Sequence, residues 1–201
     1  MGPAHEIRFS MIPAHTGDVR WRHTIHPAVI DVLERGGIVI LPTETSYMLG
    51  GDATRNDTMV RIRRMKDRPA SMDISVMFAS VELAACWTVW SDTALELARR
   101  FLPGPLTLVL PLKPGVTQFA SSSGYLGIRI PDQPFLRDIL SAVDFPVTAT
   151  SANPHGGPEP YDISRCAAGA DLVWDAGTLT PNPPSTIVKV DGSALEILRR
   201  G

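Results

Sequence analysis

Gly37-Ile38-Val39-Ile40-Leu41-Pro42-Thr43-Glu44-Thr45-Ser46-Tyr47 is the stretch on which the fold turns. Residues 38–41 are all apolar, too few for a helix, and read as a buried strand. Pro42 ends that strand, and the Thr43–Ser46 run follows as a polar loop. On its N-terminal side, Pro27 opens a helix where a missing N–H costs nothing, and Gly36-Gly37 closes it. On its C-terminal side a helix spans residues 57–65, with Met59, Ile62 and Met65 on one face. Further along, apolar runs predict strands at 74–79, 106–110, 126–130, 147–150, 172–174, 186–190 and 195–198. Between them, residues 83–87, 93–101, 135–142 and 163–168 read as helices, and Pro103-Gly104-Pro105 stops the second of these. Asp191-Gly192 joins the last two strands as a hairpin. Alternating strands and helices ending in a hairpin predict an α/β protein with a mixed sheet. With no repeat and no linker, residues 21–201 read as a single domain and residues 1–20 as an arm or edge strand.

The composition narrows the class. The chain has 201 residues, 44% of them hydrophobic, which is enough for one substantial core. A formal net charge of −2 makes any attraction for nucleic acid local. Cys86 and Cys166 are far apart and read as free thiols in a reducing compartment. The first 20 residues lack the apolar core of a secretory signal, and no stretch approaches the roughly 18 apolar residues of a membrane span, so the expectation is a cytoplasmic protein with no membrane partner.

Two polar signatures end regular elements, where open α/β sheets hold ligands: Lys66-Asp67-Arg68 after a helix and Thr150-Ser151-Ala152-Asn153 after a strand. The ligand they suit is a polyphosphate. Arg61, Arg63, Arg64, Lys66 and Arg68 crowd into eight residues, and helical spacing puts Arg61, Arg64 and Arg68 on one face. Such a cluster is either a phosphate clamp or a solvated helix face. The Thr43 and Thr45 hydroxyls suit a small polar ligand or a turn cap, and Glu44 could orient an amine or reach Mg²⁺ through water, although a solvent-facing glutamate is the commoner case. Thr148, Thr150, Ser151 and Asn153 interrupt an apolar strand, Arg129 sits between Ile128 and Ile130, and Pro184-Ser185-Thr186 enters another strand. Arg199 adds a cation near the chain's end. An arginine within an apolar strand calls for an anionic partner. No G-x-S-x-G, P-loop or G-x-G-x-x-G motif is present, and His23 with His26 lacks a zinc ligand set.

In this order, the segments around Thr43–Tyr47, Lys66–Pro69, Pro103–Thr107, Ile128–Pro131, Thr150–Asn153, Pro184–Val188 and Ile197–Arg199 resemble the YrdC-like family, which includes the threonylcarbamoyl-AMP synthases of tRNA modification. The resemblance covers residues from about 27 to 201. It implies a twisted mixed sheet with flanking helices, curved around a concave basic cavity. It also implies that L-threonine, bicarbonate and ATP, with Mg²⁺, give threonylcarbamoyl-AMP and pyrophosphate. A tRNA-modifying transferase complex would be the downstream partner, with tRNA or double-stranded RNA as a further one. Carried over by motif, Arg64, Lys66, Arg68, Ser151, Asn153 and Arg199 would bind ATP, and Thr43, Arg129 and Ser185 would bind threonine. The chain departs from the family pattern at Met48, where glycine is usual, at Met72-Asp73, and at Glu159, where small hydroxyl residues are common. Met48 is expected to crowd the site and Asp73 to bring negative charge to the phosphates. The alternative reading is a YrdC-like paralogue that binds RNA or a nucleotide without this synthesis.

Overall fold

The structure, a computed structural model, describes residues 7–10, 20–69, 71–117, 121 and 123–201. Most of the expected N-terminal arm, with His5 and His15, lies outside the described residues. Strand β1 (Ile7–Ser10) precedes helix α1 (Arg20–Glu34), which begins well before Pro27 and carries that proline inside it. The helix therefore gives up one internal hydrogen bond at Pro27 instead of starting there. Its end matches the sequence: Gly36 adopts φ 77°, and Gly37 N–H donates to the Val32 carbonyl at 2.8 Å.

Strand β2 (Val39–Pro42) is followed at once by β3 (Tyr47–Gly50), a strand the sequence pattern does not announce. The two pair antiparallel, Leu41 opposite Met48, so the polar residues between them form the tip of a hairpin. Both strands are buried on both faces, which explains the unbroken apolar run. Ile38, Ile40, Tyr47 and Leu49 enter one core cluster, while Val39, Leu41 and Met48 enter a second with Val29, Leu33, Leu136 and Trp174. Helix α2 (Asn56–Lys66) comes next, then β4 (Val76–Met77), α3 (Val81–Ala84), α4 (Asp92–Phe101), β5 (Leu106–Pro111) and β6 (Tyr125–Arg129). Helix α5 (Pro134–Ala142) packs against α1, and its Phe135 meets Trp174 edge-on at 4.7 Å.

Residues 147–150 are not one strand. They divide into β7 (Val147–Thr148) and β8 (Thr150–Ser151), which belong to different sheets. A short 3₁₀ turn (Ile163–Arg165) stands where a helix was expected, followed by β9 (Leu172–Asp175), β10 (Thr186–Asp191) and β11 (Ala194–Arg199). The last two form the expected hairpin. The described strands thus make two mixed sheets rather than one, ordered β1-β9-β2-β3-β8 and β11-β10-β5-β6-β4-β7. The chain steps between them at Ala149, whose N–H donates to the Ser75 carbonyl at 2.7 Å. Thr148 closes the seam: its hydroxyl donates to the Leu49 carbonyl at 2.9 Å and accepts from Gly51 N–H at 3.0 Å. No helix of the described residues is long and apolar enough to cross a membrane.

Candidate active site

A polar cavity of about 140 Å³ opens where the two sheets face each other. The first sheet contributes Thr43, Thr45 and Ser46 from the β2–β3 hairpin, Met48 from β3, and Thr150 and Ser151 from β8. The second contributes Met77, Thr107, Arg129, Ile187 and Arg199, with Ser75, Pro184 and Ser185 just ahead of its strands. Arg68 and Glu159 reach in from the segments after α2 and β8. Three arginines and one carboxylate therefore face a wall of hydroxyls.

At the hairpin tip, Thr43 organises its own turn. Its hydroxyl donates to the Ser46 carbonyl at 2.7 Å and accepts from the N–H groups of Thr45 and Ser46, each at 3.1 Å. Thr45 is thereby aimed at Arg129, whose Nη2 donates to Thr45 Oγ1 at 3.0 Å and to Glu44 Oε1 at 2.7 Å. This ion pair is nearly sealed from water, with side-chain exposures of 9% for Arg129 and 15% for Glu44. Glu44 is thus held by Arg129 and does not line the cavity, which matches neither reading of it: it is not a solvent-facing glutamate, and it is not placed to orient an amine or a metal. Arg129 Nε and Glu44 Oε2 are buried without hydrogen-bond partners.

Opposite, Ser185 and Thr107 share a hydrogen bond of 2.9 Å between their hydroxyls. Arg199 Nη2 donates to Ser185 Oγ at 3.1 Å and to its carbonyl at 2.8 Å. Desolvation lowers the Arg199 pKa, Glu159 opposes that shift and Arg129 reinforces it. Arg68 is lowered too, first by desolvation and then by Arg63, against a weaker pull from Asp73. Burial is the main cause for both guanidiniums, and an anion in the cavity would favour their charged forms.

The basic cluster does not act as one face. Helix α2 stops at Lys66, and Asp67 turns left-handed at φ 49°, so Arg68 leaves the helix with its N–H on the Arg63 carbonyl at 2.9 Å. Arg68 enters the cavity, Arg64 is exposed away from it, and Arg61 pairs with both Asp171 oxygens at 3.0 and 2.9 Å. Lys66 is buried, 2% exposed, and is not part of the lining. Its ammonium donates to the carbonyls of Ser151 and Asn153, the latter at 2.7 Å. Of the residues assigned to ATP, then, Arg68, Ser151 and Arg199 line the cavity, while Arg64, Lys66 and Asn153 do not; all three assigned to threonine, Thr43, Arg129 and Ser185, do.

The departures look different in three dimensions. The Asp73 carboxylate accepts from the hydroxyls of Ser123 at 2.7 Å and Ser121 at 3.3 Å, and Asp73 is absent from the cavity lining; its backbone carbonyl accepts from Arg68 at 2.7 Å, and its charge weakly favours that guanidinium. Met48 touches the cavity, but its terminal methyl packs towards Gly50, where an added Cβ would lie 3.0 Å from it. Glu159 does face the cavity, accepting from Ser46 Oγ at 3.3 Å. Sequence reading did not single out Ser75 or Thr107. Thr107 closes the Pro103–Thr107 segment of the family resemblance but was given no role, and Ser75 carried no local signal.

Two mixed sheets, an arginine-rich cavity lined from both of them and hydroxyls from both walls define an α/β protein with a polar, cation-lined cavity at the seam. The chain belongs to the Sua5/YciO/YrdC family, whose model, described as "Telomere recombination", matches residues 31–201. A Methanocaldococcus jannaschii protein provisionally named threonylcarbamoyl-AMP synthase is 32% identical over 83% of this chain and 80% of its own length. The Bacillus subtilis threonylcarbamoyl-AMP synthase is 31% identical over 85% of this chain and 51% of its own, so the chain spans about half of that relative. The crystal structure of P. abyssi Sua5 complexed with L-threonine superposes with a TM-score of 0.79 at 27% identity, covering 96% of this chain and 56% of that one.

Proposed function

We propose that the cavity joins L-threonine, bicarbonate and ATP into threonylcarbamoyl-AMP with release of pyrophosphate, supplying a transferase that modifies tRNA. One observation carries this reading: Arg68, Arg129 and Arg199 converge on a single cavity with the Thr43, Thr45, Ser151 and Ser185 side chains, where cations and hydroxyls outnumber the one carboxylate, Glu159. A site of cations and hydroxyls positions and stabilises charge, which is what transfer to phosphorus requires. Names carried by relatives at about 30% identity support the same chemistry.

In this reading the threonine carboxylate lies near Arg129, and its small polar groups lie near Thr43 and Ser185. The phosphates lie by Arg68 and Arg199, with the rest of the nucleotide by Ser151. The threonine ammonium gives up a proton to solvent, and the free amine then attacks the bicarbonate carbon with loss of one water, leaving a carbamate. The resulting carbamate oxygen attacks the α-phosphorus, and the bond to the bridging oxygen breaks as pyrophosphate departs. Arg68 and Arg199 stabilise the charge that builds on the phosphates. Among the described residues no three His, Cys, Asp or Glu side chains are placed to hold a metal, and Glu159 is the sole carboxylate in the lining. That donor set fits Mg²⁺ carried mainly by phosphate oxygens, with Glu159 able to supply one protein ligand. Magnesium so held would neutralise phosphate charge.

Pyrophosphate release by the pure protein, measured with ATP, bicarbonate and Mg²⁺ against a panel of amino acids, tests the reading. Release that depends on threonine supports it. ATP binding without turnover for any amino acid would point instead to a nucleotide-binding paralogue.

A further inference from the structure

An ammonium group has three donors. On Lys66 all three have acceptors within the fold: the Ser151 carbonyl, the Asn153 carbonyl at 2.7 Å and Asn153 Oδ1 at 3.5 Å. The main chain of the same residue adds a fourth tie, for the Lys66 carbonyl accepts from His155 N–H at 2.6 Å. Residues 151, 153 and 155 are therefore all anchored to one residue at the end of α2. The turn they form is closed on itself as well, because Asn153 Oδ1 accepts from Ser151 Oγ at 2.6 Å and Asn153 Nδ2 donates to the Gly157 carbonyl at 2.7 Å.

We propose that Lys66 is a positioning residue whose buried ammonium shapes the Ser151–Asn153 turn for the nucleotide and does not itself contact phosphate. The inference rests on the nucleotide-binding reading above and assigns phosphate contact within Lys66-Asp67-Arg68 to Arg68 alone. The two signatures are then one device: α2 delivers a cation that assembles the turn and, two residues later, a cation that lines the cavity. Charged and titratable groups around the ammonium are Arg68, which disfavours its charge, and Glu159 and Cys166, which favour it. Burial is the largest influence and pushes Lys66 down to about 8, so its charge is lost within reach of ordinary buffers.

Titration calorimetry of the full chain with AMP and with ATP separates positioning from contact with the β- and γ-phosphates, and adenosine, whose binding Lys66→Met is expected to weaken by the same factor, separates it from contact with the α-phosphate. Lys66→Met is expected to weaken both nucleotides by a similar factor, about tenfold or more, because both need the turn. Arg68→Ala, the contrast, is expected to weaken ATP well beyond AMP. In the parent protein the affinities for AMP and ATP are expected to fall together as pH rises through about 8, a step that Lys66→Met lacks. Cys166 does not produce that step, since burial pushes its thiol up to about 12. A Lys66→Met variant that loses ATP affinity while keeping that for AMP overturns the inference. If that variant does not fold, the parent decides: AMP affinity that stays flat through the same pH range overturns it equally. A parent that binds neither nucleotide overturns the underlying reading, and this inference with it, whereas nucleotide binding with an ATP-selective loss overturns this inference alone.

Discussion

At the scale of single residues, charge at this site is sorted by what each side chain can reach. Arg129 and Glu44 face each other across 2.7 Å with little access to water, so neither can lose its partner cheaply. Glu44→Gln is expected to destabilise the protein by about 3–5 kcal/mol, because it leaves a buried guanidinium uncompensated. Urea denaturation measures this, and Arg129→Met added to Glu44→Gln should recover much of the loss. A loss below about 1 kcal/mol would mean that the pair is effectively solvated. Asp73 illustrates the opposite case. Its sequence position suggested a charge beside the phosphates, yet two serine hydroxyls hold its carboxylate. Asp73→Asn should therefore change ATP affinity by no more than about threefold in calorimetry, since Asp73 is the weakest influence on the charge of Arg68 and the substitution keeps the backbone carbonyl that Arg68 meets.

At the scale of elements, the end of α2 directs Arg68 into the cavity. Asp67 takes the left-handed conformation that glycine adopts without strain. Asp67→Gly should accordingly raise stability by up to about 1 kcal/mol in urea denaturation and leave Arg68 in place, whereas Asp67→Val should lower it. The sequence showed the helix and the cluster but not this turn, because aspartate carries no mark of left-handed geometry. Helical spacing therefore put Arg61, Arg64 and Arg68 on a shared face that does not exist. The strands were legible where both faces are apolar, as in β2, and where a turn announces itself, as at Asp191-Gly192. Strand β3 was hidden because its partner lies only a hairpin away and the polar tip reads as a longer loop. The division of residues 147–150 between two sheets was not legible either, since a change of sheet at Ala149 alters pairing without altering pattern. Of the candidate site, the cations and hydroxyls at strand ends were found from sequence. Which of them face the cavity was decided by contacts between distant segments, such as Lys66 with Ser151.

At the scale of the whole molecule, two sheets meet at a seam and the cavity occupies it, so ligand binding and sheet packing share residues. Lys66 links the two energetically. Its pKa falls from 10.5 in the unfolded chain to about 8 in the fold, so above pH 8 the native state gives up this proton first. The unfolded chain then binds more protons, and the contribution of Lys66 to stability rises with pH between those values. Denaturation of the parent and of Lys66→Met across that range should show the difference in their stabilities moving in the parent's favour as pH rises, by no more than about 3 kcal/mol. Cys166 runs the other way: its thiol is raised from 9.0 to about 12, so its contribution is full below pH 9 and is lost as pH climbs towards 12. The same ammonium that costs the fold its stability at neutral pH is the one that orders the nucleotide turn. The central claim, that this seam activates threonine with ATP and bicarbonate, is tested most directly by supplying isotopically labelled bicarbonate with ATP, Mg²⁺ and L-threonine and weighing the adenylate formed. The account predicts a threonylcarbamoyl adenylate that carries the label and is absent when Arg129 or Arg68 is removed from an otherwise folded protein; an unlabelled adenylate, or none from the parent, would contradict it.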